Sequence, residues 1–356
     1  MTDCIIVGGG LLGMLSAREL KKSGVDVLLL DKGELGQESS WAGGGILSPL
    51  HPWRYPDEVN QLAHIGHQIY PQIARELYSE SGIDPQYIRS GLLVLNNRSE
   101  SERNEQADAL AWAEKWSMNL SLLDDSAAIQ SVAPGIAKSF EQGMWLPDIG
   151  QMRNPRLVQA AKGSLQSLGV EYREHVGVES LNIAKGRVTG VVANGETLHA
   201  KQVLIAGGAW SAELLRGCTD VPDITPVKGQ MILFKGPVGL LKSIVLVENR
   251  YLIPRKDGRV LCGSSIEHSG FDKSTSQDIK QALLDSAIEI FPELAQLQIE
   301  HHWAGLRPGS PEGVPFVGRH KNVEGLYVNA GHYRNGVILG IASCQRVAAE
   351  IMADFH

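Results

Sequence analysis

Cys4-Ile5-Ile6-Val7-Gly8-Gly9-Gly10-Leu11-Leu12-Gly13 is the stretch on which the fold turns. A short apolar run ending in glycine predicts a buried parallel strand over residues 4–8. Residues 11–23 then take a helical period. Leu12, Leu15 and Leu20 share a face, while Arg18, Glu19, Lys21 and Lys22 point elsewhere. Lys21 and Lys22 suit the negative end of a helix, and Gly24 supplies its cap. Val25 to Leu30 form a second apolar strand, ended by Asp31. The predicted unit is βαβ.

Inside this unit stands Gly8-x-Gly10-x-x-Gly13. Gly8 permits the tight turn, Gly10 lets backbone approach a pyrophosphate, and Gly13 lets helix pack on strand. The helix start at Leu11 and Leu12 offers free N–H groups and a positive dipole end to phosphate. Asp31 suits a ribose hydroxyl, with Lys32 beside it. A glycine turn without a ligand is the bland reading. The agreement of strand, helix, second strand and acid outweighs it.

The fingerprint leaves NAD and FAD open. Its place near the start of the chain leans toward FAD, and later segments add to this. Ser39-Ser40-Trp41-Ala42-Gly43-Gly44-Gly45 packs small residues around one aromatic, which calls for a backbone reason such as a second close approach to a long cofactor. Ile205-Ala206-Gly207-Gly208-Ala209-Trp210 resembles the strand and glycine turn beside the adenine end of many flavoproteins. Gly331-His332-Tyr333-Arg334-Asn335-Gly336 opens the last helix. Its N–H groups can face an electron-rich flavin carbonyl.

The remaining pattern predicts a long amphipathic helix over residues 57–81, with Pro71 kinking or splitting it. A strand follows at 92–95 and a charged helix at 102–116. Asn154 and Pro155 read as N-cap and first helical residue of a helix running to about Leu168. Residues 170–192 read as strand, turn and strand. Residues 226–317 are β-rich with one helix near 279–290, and residues 325–351 are a strand, a glycine turn and a closing helix.

With 356 residues the chain can bury two sizeable cores. A net charge of −7 gives no basic footprint for nucleic acid. Cys4, Cys218, Cys262 and Cys344 are scattered, which argues against a zinc site or a disulfide framework and for a reducing compartment. His64, His67, His301 and His302 have no acid or cysteine partners at metal-ligand spacing, so no metal is assigned. No basic leader and no run of about 18 apolar residues is evident. The cytoplasm is the expected location, with no membrane partner.

Arg307 lies in Trp303-Ala304-Gly305-Leu306-Arg307-Pro308-Gly309, and Arg334 lies between Gly331 and Gly336. Most arginines are solvated surface charges. Flanking glycines and apolar residues point these two toward a carboxylate, which a guanidinium grips through two parallel hydrogen bonds. Tyr251, in Asn249-Arg250-Tyr251-Leu252-Ile253-Pro254-Arg255, can add a hydroxyl. For His332, backbone placement is the preferred reading over a catalytic base.

These residues carry a resemblance. With Pro226-Val227-Lys228-Gly229-Gln230 added, the chain resembles the D-amino acid oxidase family of FAD enzymes, within it the glycine oxidases of the thiamine pathway. The resemblance spans essentially the whole chain. It implies an α/β fold, with a Rossmann-type FAD domain from 1–45, 150–215 and 325–356. A substrate domain from 46–149 and 216–324 would carry a mostly antiparallel sheet. Non-covalent FAD would meet Gly8, Gly10, Leu11, Leu12, Gly13, Asp31, Lys32, Ser39, Ser40, Ala42, Gly43 and Gly44. Further on it would meet Val178, Ala206, Gly207, Gly208, Trp210, Gly331, His332, Arg334, Asn335, Gly336, Val337 and Ile338.

The resemblance further implies that Arg307 clamps the substrate carboxylate, with Tyr251 beside it and Arg334 close to flavin and substrate. Asn249 and Ile266 would line the substrate pocket, at positions where the best-known members carry histidine and methionine. The implied reaction is hydride transfer from the α-carbon of glycine, sarcosine or D-alanine to flavin N5. The imine would hydrolyse, for glycine to glyoxylate and ammonia, and O2 would be reduced to hydrogen peroxide. A D-amino acid dehydrogenase, an N-methyl or imino acid oxidase, and a flavin-binding scaffold are the alternatives. Retention of both Arg307 and Tyr251 weighs against the scaffold. The partners expected are a small amine or amino acid and O2, and a homo-oligomer is left open.

Overall fold

The computed structural model describes residues 2–95 and 100–355. Among them, two eight-stranded sheets dominate. The first runs Phe316–Arg319, Leu326–Ala330, Glu196–Ile205, Thr2–Val7, Val27–Leu30, Glu171–Arg173, with Val178–Ala184 and Arg187–Ala193 joined at the side. Thr2–Val7 is parallel to both neighbours, with Ile6 opposite Leu204 and Leu29. Its side chains alternate between two cores. Cys4 and Ile6 enter the helical side; Ile5 and Val7 enter the side covered by the hairpin of 178–193. The helical side is built from Leu11–Lys22, Asp57–Ser81, Asn154–Ser167 and Gly336–Ala353.

The second sheet runs Gln298–Gly309, Thr225–Lys235, Val260–Gly263, Arg250–Pro254, Ile244–Val247, Leu92–Leu95, Gly143–Leu146, Ser121–Leu123. Its pairings are antiparallel apart from Ile244–Val247 on Leu92–Leu95.

Several expectations need correcting. Pro71 does not split its helix, which runs unbroken from Asp57 to Ser81. This helix packs in the first core against Asn154–Ser167 and Gly336–Ala353, not with the second sheet. Tyr70, Ile73, Ala74 and Leu77 flank the proline and are all buried, so packing outweighs the one lost hydrogen bond. Phe316–Arg319 also belongs to the first sheet, because it pairs antiparallel with Leu326–Ala330. The strand expected within the β-rich stretch at 226–317 thus pairs outside the second sheet.

Asn154 is the first helical residue instead of the cap, which is Arg153. The closing helix Gly336–Ala353 has the length and apolarity to cross a membrane, with mean hydropathy 1.3, although no such run was read in the sequence. Its residues Ile338, Leu339, Ile341, Cys344, Val347 and Ile351 are buried in the first core.

Candidate active site

One cavity of about 460 Å³ joins the C-terminal ends of the first sheet to the face of the second. Its wall begins at the glycine loop. Gly8 has φ +109°, and a Cβ there would stand 2.4 Å from the Ala206 carbonyl oxygen. A Cβ on Gly13 would stand 1.8 Å from the Gly8 oxygen, so that glycine is demanded by helix packing. Asp31 accepts from Gly9 N at 2.6 Å and Gly33 N at 2.8 Å. Burial raises its pKa and these two donors oppose the shift. Lys32 Nζ lies 3.5 Å above the Trp210 ring.

The Ser39–Gly45 segment is suspended from four sides. Ser39 donates to the Leu306 carbonyl. Ser40 Oγ accepts from Leu11 N at 2.8 Å, and its carbonyl accepts from Asn154 Nδ2 at 2.7 Å. The Ala42 carbonyl accepts from Trp303 Nε1 at 3.1 Å, and the Gly44 carbonyl from Arg255 Nη2 at 2.7 Å. Arg255 also donates to Gln151 and the Met152 carbonyl, and burial pushes its pKa down to about 10. The glycine density has its reason here. A Cβ on Gly45 would meet the Met152 oxygen at 2.1 Å, and one on Gly44 would meet Ile253 at 2.9 Å.

Arg307 and Tyr251 complete the wall. The Arg307 guanidinium donates to Ser264 Oγ at 2.6 Å and to the Ser265 carbonyl at 3.2 Å. It lies flat on Gly229, where a Cβ would stand 2.1 Å from Nη2. Burial holds its pKa below the ordinary value, and the neighbouring Tyr251 opposes the shift. Among the described residues no carboxylate pairs with it. The Tyr251 ring sits against Gly263, whose Cβ would lie 2.8 Å from the phenol oxygen, and near Gly44. Its hydroxyl is 3.8 Å from Met231 Sδ.

The last helix begins at Gly336 with no side-chain cap, whereas at the Leu11 start the first N–H is taken by Ser40 Oγ. Arg334 lines the cavity, donates to Asn249 Oδ1 at 3.0 Å, and keeps a buried Nη2 with no partner. The His332 ring turns away to Ser343 Oγ at 2.9 Å, and burial pushes its pKa down to about 3.

Of the residues singled out in the sequence, Gly8, Gly10, Leu11, Leu12, Asp31, Lys32, Ser39, Ser40, Gly43, Gly44, Val178, Ala206, Gly207, Gly208, Trp210, Tyr251, Arg307, His332, Arg334, Gly336 and Val337 line this one cavity. Gly13, Ala42, Gly331, Asn335 and Ile338 stand behind it. Ile266 does not reach the wall and is 42% exposed. Ser265 turns its carbonyl to Arg307. Asn249 lines a neighbouring cavity that shares Leu50 and Arg334 with the first. Sequence reasoning missed Asn154, Met231, Ser48 and Tyr333 in the wall, and Gly229 and Arg255 behind it. The motifs quoted around Gly229 and Arg255 contained that signal. Nothing in the spacing marked Asn154 or Met231.

A glycine-cradled cavity between two helix starts, ending on an arginine with no carboxylate partner among the described residues, defines a nucleotide-cofactor oxidoreductase. The comparisons with known proteins agree. The chain belongs to the FAD dependent oxidoreductase family, whose model matches residues 3–350. It is similar to glycine oxidase of Pseudomonas putida, 45% identical over 96% of this chain and 92% of the relative. It is 30% identical to the bifunctional protein ThiO/ThiG of Trichormus variabilis, over 99% of this chain and 52% of that one. Among solved structures, glycine oxidase from Geobacillus kaustophilus superposes with a TM-score of 0.94 at 29% identity, covering 99% of this chain and 95% of that one.

The cavity fits FAD. The start at Gly336, which has no side-chain cap, and the orphaned Arg334 Nη2 are donors that a dinucleotide satisfies. Asp31, Lys32 and Trp210 would hold the adenosine part, Gly10 to Leu12 the phosphates, and Gly43, Gly44, Gly336 and Val337 the ring system.

Proposed function

We propose that the chain oxidises glycine and similarly small amines, sarcosine and D-alanine among them, with O2 as acceptor. The observation that carries this reading is Arg307: an enclosed guanidinium with no carboxylate partner among the described residues, in the wall of the FAD cavity. A buried unpaired charge is costly, and a substrate carboxylate in bidentate contact relieves the cost. Tyr251, wedged between Gly44 and Gly263, adds a fixed hydroxyl beside that carboxylate.

The acids of the wall, Asp31, Glu38, Glu179 and Glu213, are not paired with Arg307, and the His332 ring is turned to Ser343. Among the described residues of the wall, no carboxylate or imidazole is paired with Arg307, and none is used as a base at the α-carbon. The amine loses its proton to solvent, and its lone pair supports departure of the α-hydrogen as hydride. FAD, when bound, would supply the hydride acceptor and the redox couple for reducing O2. What the chain contributes is orientation and exclusion of water. The imine released takes up water to give glyoxylate and ammonia from glycine, and O2 leaves as hydrogen peroxide. A role in thiamine thiazole synthesis is part of the proposal and rests on the likeness to the thiamine-pathway oxidases.

The test is to add glycine anaerobically to the yellow holoenzyme and follow flavin absorbance. Bleaching reversed by air, with peroxide released, supports the reading. Persistent yellow colour refutes glycine and directs the same assay to sarcosine, D-alanine and D-proline. Bleaching that air fails to reverse marks a dehydrogenase instead.

A further inference from the structure

The segment 264–276 leaves the second sheet after Gly263 and crosses to the first half of the molecule as a strap. Its base is fastened by Lys228, 5% exposed on the strand Thr225–Lys235. Lys228 Nζ stands 3.2 Å from Glu267, 3.3 Å from Asp272, and donates to the Ser274 carbonyl at 3.1 Å. Lys228 and Glu267 also exchange two backbone hydrogen bonds, at 2.9 and 3.0 Å. Gln230 Oε1 accepts from Ser276 N at 3.1 Å.

The tip reaches the cofactor cavity from outside. The Phe271 ring stacks on Trp210, with centroids 5.3 Å apart and planes at 22°. Lys273 pairs with Glu38 at 2.9 Å. Trp210 and Glu38 both line the cavity, at the end where Asp31 and Lys32 stand. In a Rossmann unit that end receives the adenosine ribose. Phe271 is 38% exposed and enters neither sheet's core, so the tryptophan is its principal apolar partner.

We propose that this strap is part of the cofactor site: it closes over the adenosine end and sets the rate at which the dinucleotide leaves. The surface ion pair contributes little by itself. The stack does most of the holding, and the Lys228 anchor keeps the ring in register with Trp210. The proposal depends on FAD occupying the cavity and is independent of which amine is oxidised.

Holoenzyme diluted into buffer and sampled by ultrafiltration reports FAD release directly. Phe271→Ala should speed release about fivefold or more, the worth of an aromatic pair. Lys273→Ala should speed it less, with a gain that disappears at high salt. Phe271→Tyr keeps the ring and should release FAD at the wild-type rate. Wild-type release from Phe271→Ala overturns the proposal. So does a Phe271→Tyr enzyme that releases as fast as Phe271→Ala, because the stack would then not be what holds the strap.

Discussion

The Arg307 guanidinium rests on a bare backbone. Gly229, opposite Gly305 in the register of Thr225–Lys235 with Gln298–Gly309, leaves the space in which the fork lies. Two predictions belong to this contact. Arg307→Ala should keep FAD bound and lose about 1.5–3 kcal/mol of substrate binding, the worth of a charge-assisted hydrogen bond, read as a raised KM for glycine. Unchanged glycine kinetics would remove Arg307 from the carboxylate site. Gly229→Ala puts a methyl group where the guanidinium stands. It should lower kcat/KM about 100-fold, the scale of a misplaced binding group, while the flavin spectrum stays that of the wild type. A Gly229→Ala enzyme with normal kcat/KM would show that the guanidinium can move without consequence. The sequence displayed both residues inside quoted motifs. It did not show that one lies on the other, because the contact crosses from one strand to its neighbour.

At the scale of elements, the phosphate-facing helix Leu11–Lys22 is held by a buried charge. Arg18, 1% exposed, donates to Glu76 at 2.6 Å and to Glu80 at 2.6 and 2.8 Å on the helix Asp57–Ser81, and Ser164 of a third helix donates to Glu80. The sequence reading put Arg18 on the polar face, which is correct for the helix alone. It could not show that a later helix covers that face. Replacing Arg18 by Met should destabilise the fold by about 3 kcal/mol, the low end for breaking a buried pair, because the glutamates keep some access to water. Denaturant unfolding measures this, and a loss below about 1 kcal/mol would class the network with ordinary surface pairs. The closing helix approaches the same long helix at Gly66, where a Cβ would meet the Ile338 oxygen at 2.2 Å. That approach carries Gly336 and Val337 to the cavity wall.

For the molecule as a whole, proton linkage follows from burial. His51, His67 and His332 are pushed down to about 4, 4 and 3, in each case mainly by burial. In the unfolded chain each titrates near 6.5. Between pH 6.5 and about 4 the unfolded chain therefore binds protons that the native state refuses. Stability is complete above pH 6.5 and falls as pH drops through that window. Thermal midpoints between pH 8 and 4.5 should decline, and His332→Gln should decline less steeply. Parallel profiles for the two proteins would mean that His332 is not held neutral.

What the sequence by itself determined is local and periodic. The βαβ unit at residues 4–31, the strand at 92–95, the β-rich stretch with one helix near 279–290, and the closing helix follow from apolar runs, glycine punctuation and helical spacing. Flanking residues singled out Arg307, Arg334 and Tyr251, and the resemblance added their roles. Tertiary structure alone decided which elements share a core. It packed the helix Asp57–Ser81 into the first core and paired Phe316–Arg319 in the first sheet, kept a proline inside a continuous helix, turned Asn154 from a cap to a tether of Ser40, and left Ile266 at the surface. The physical reason is common to these cases. Periodicity states which face of an element is apolar, but what covers that face is set by residues far away in the chain.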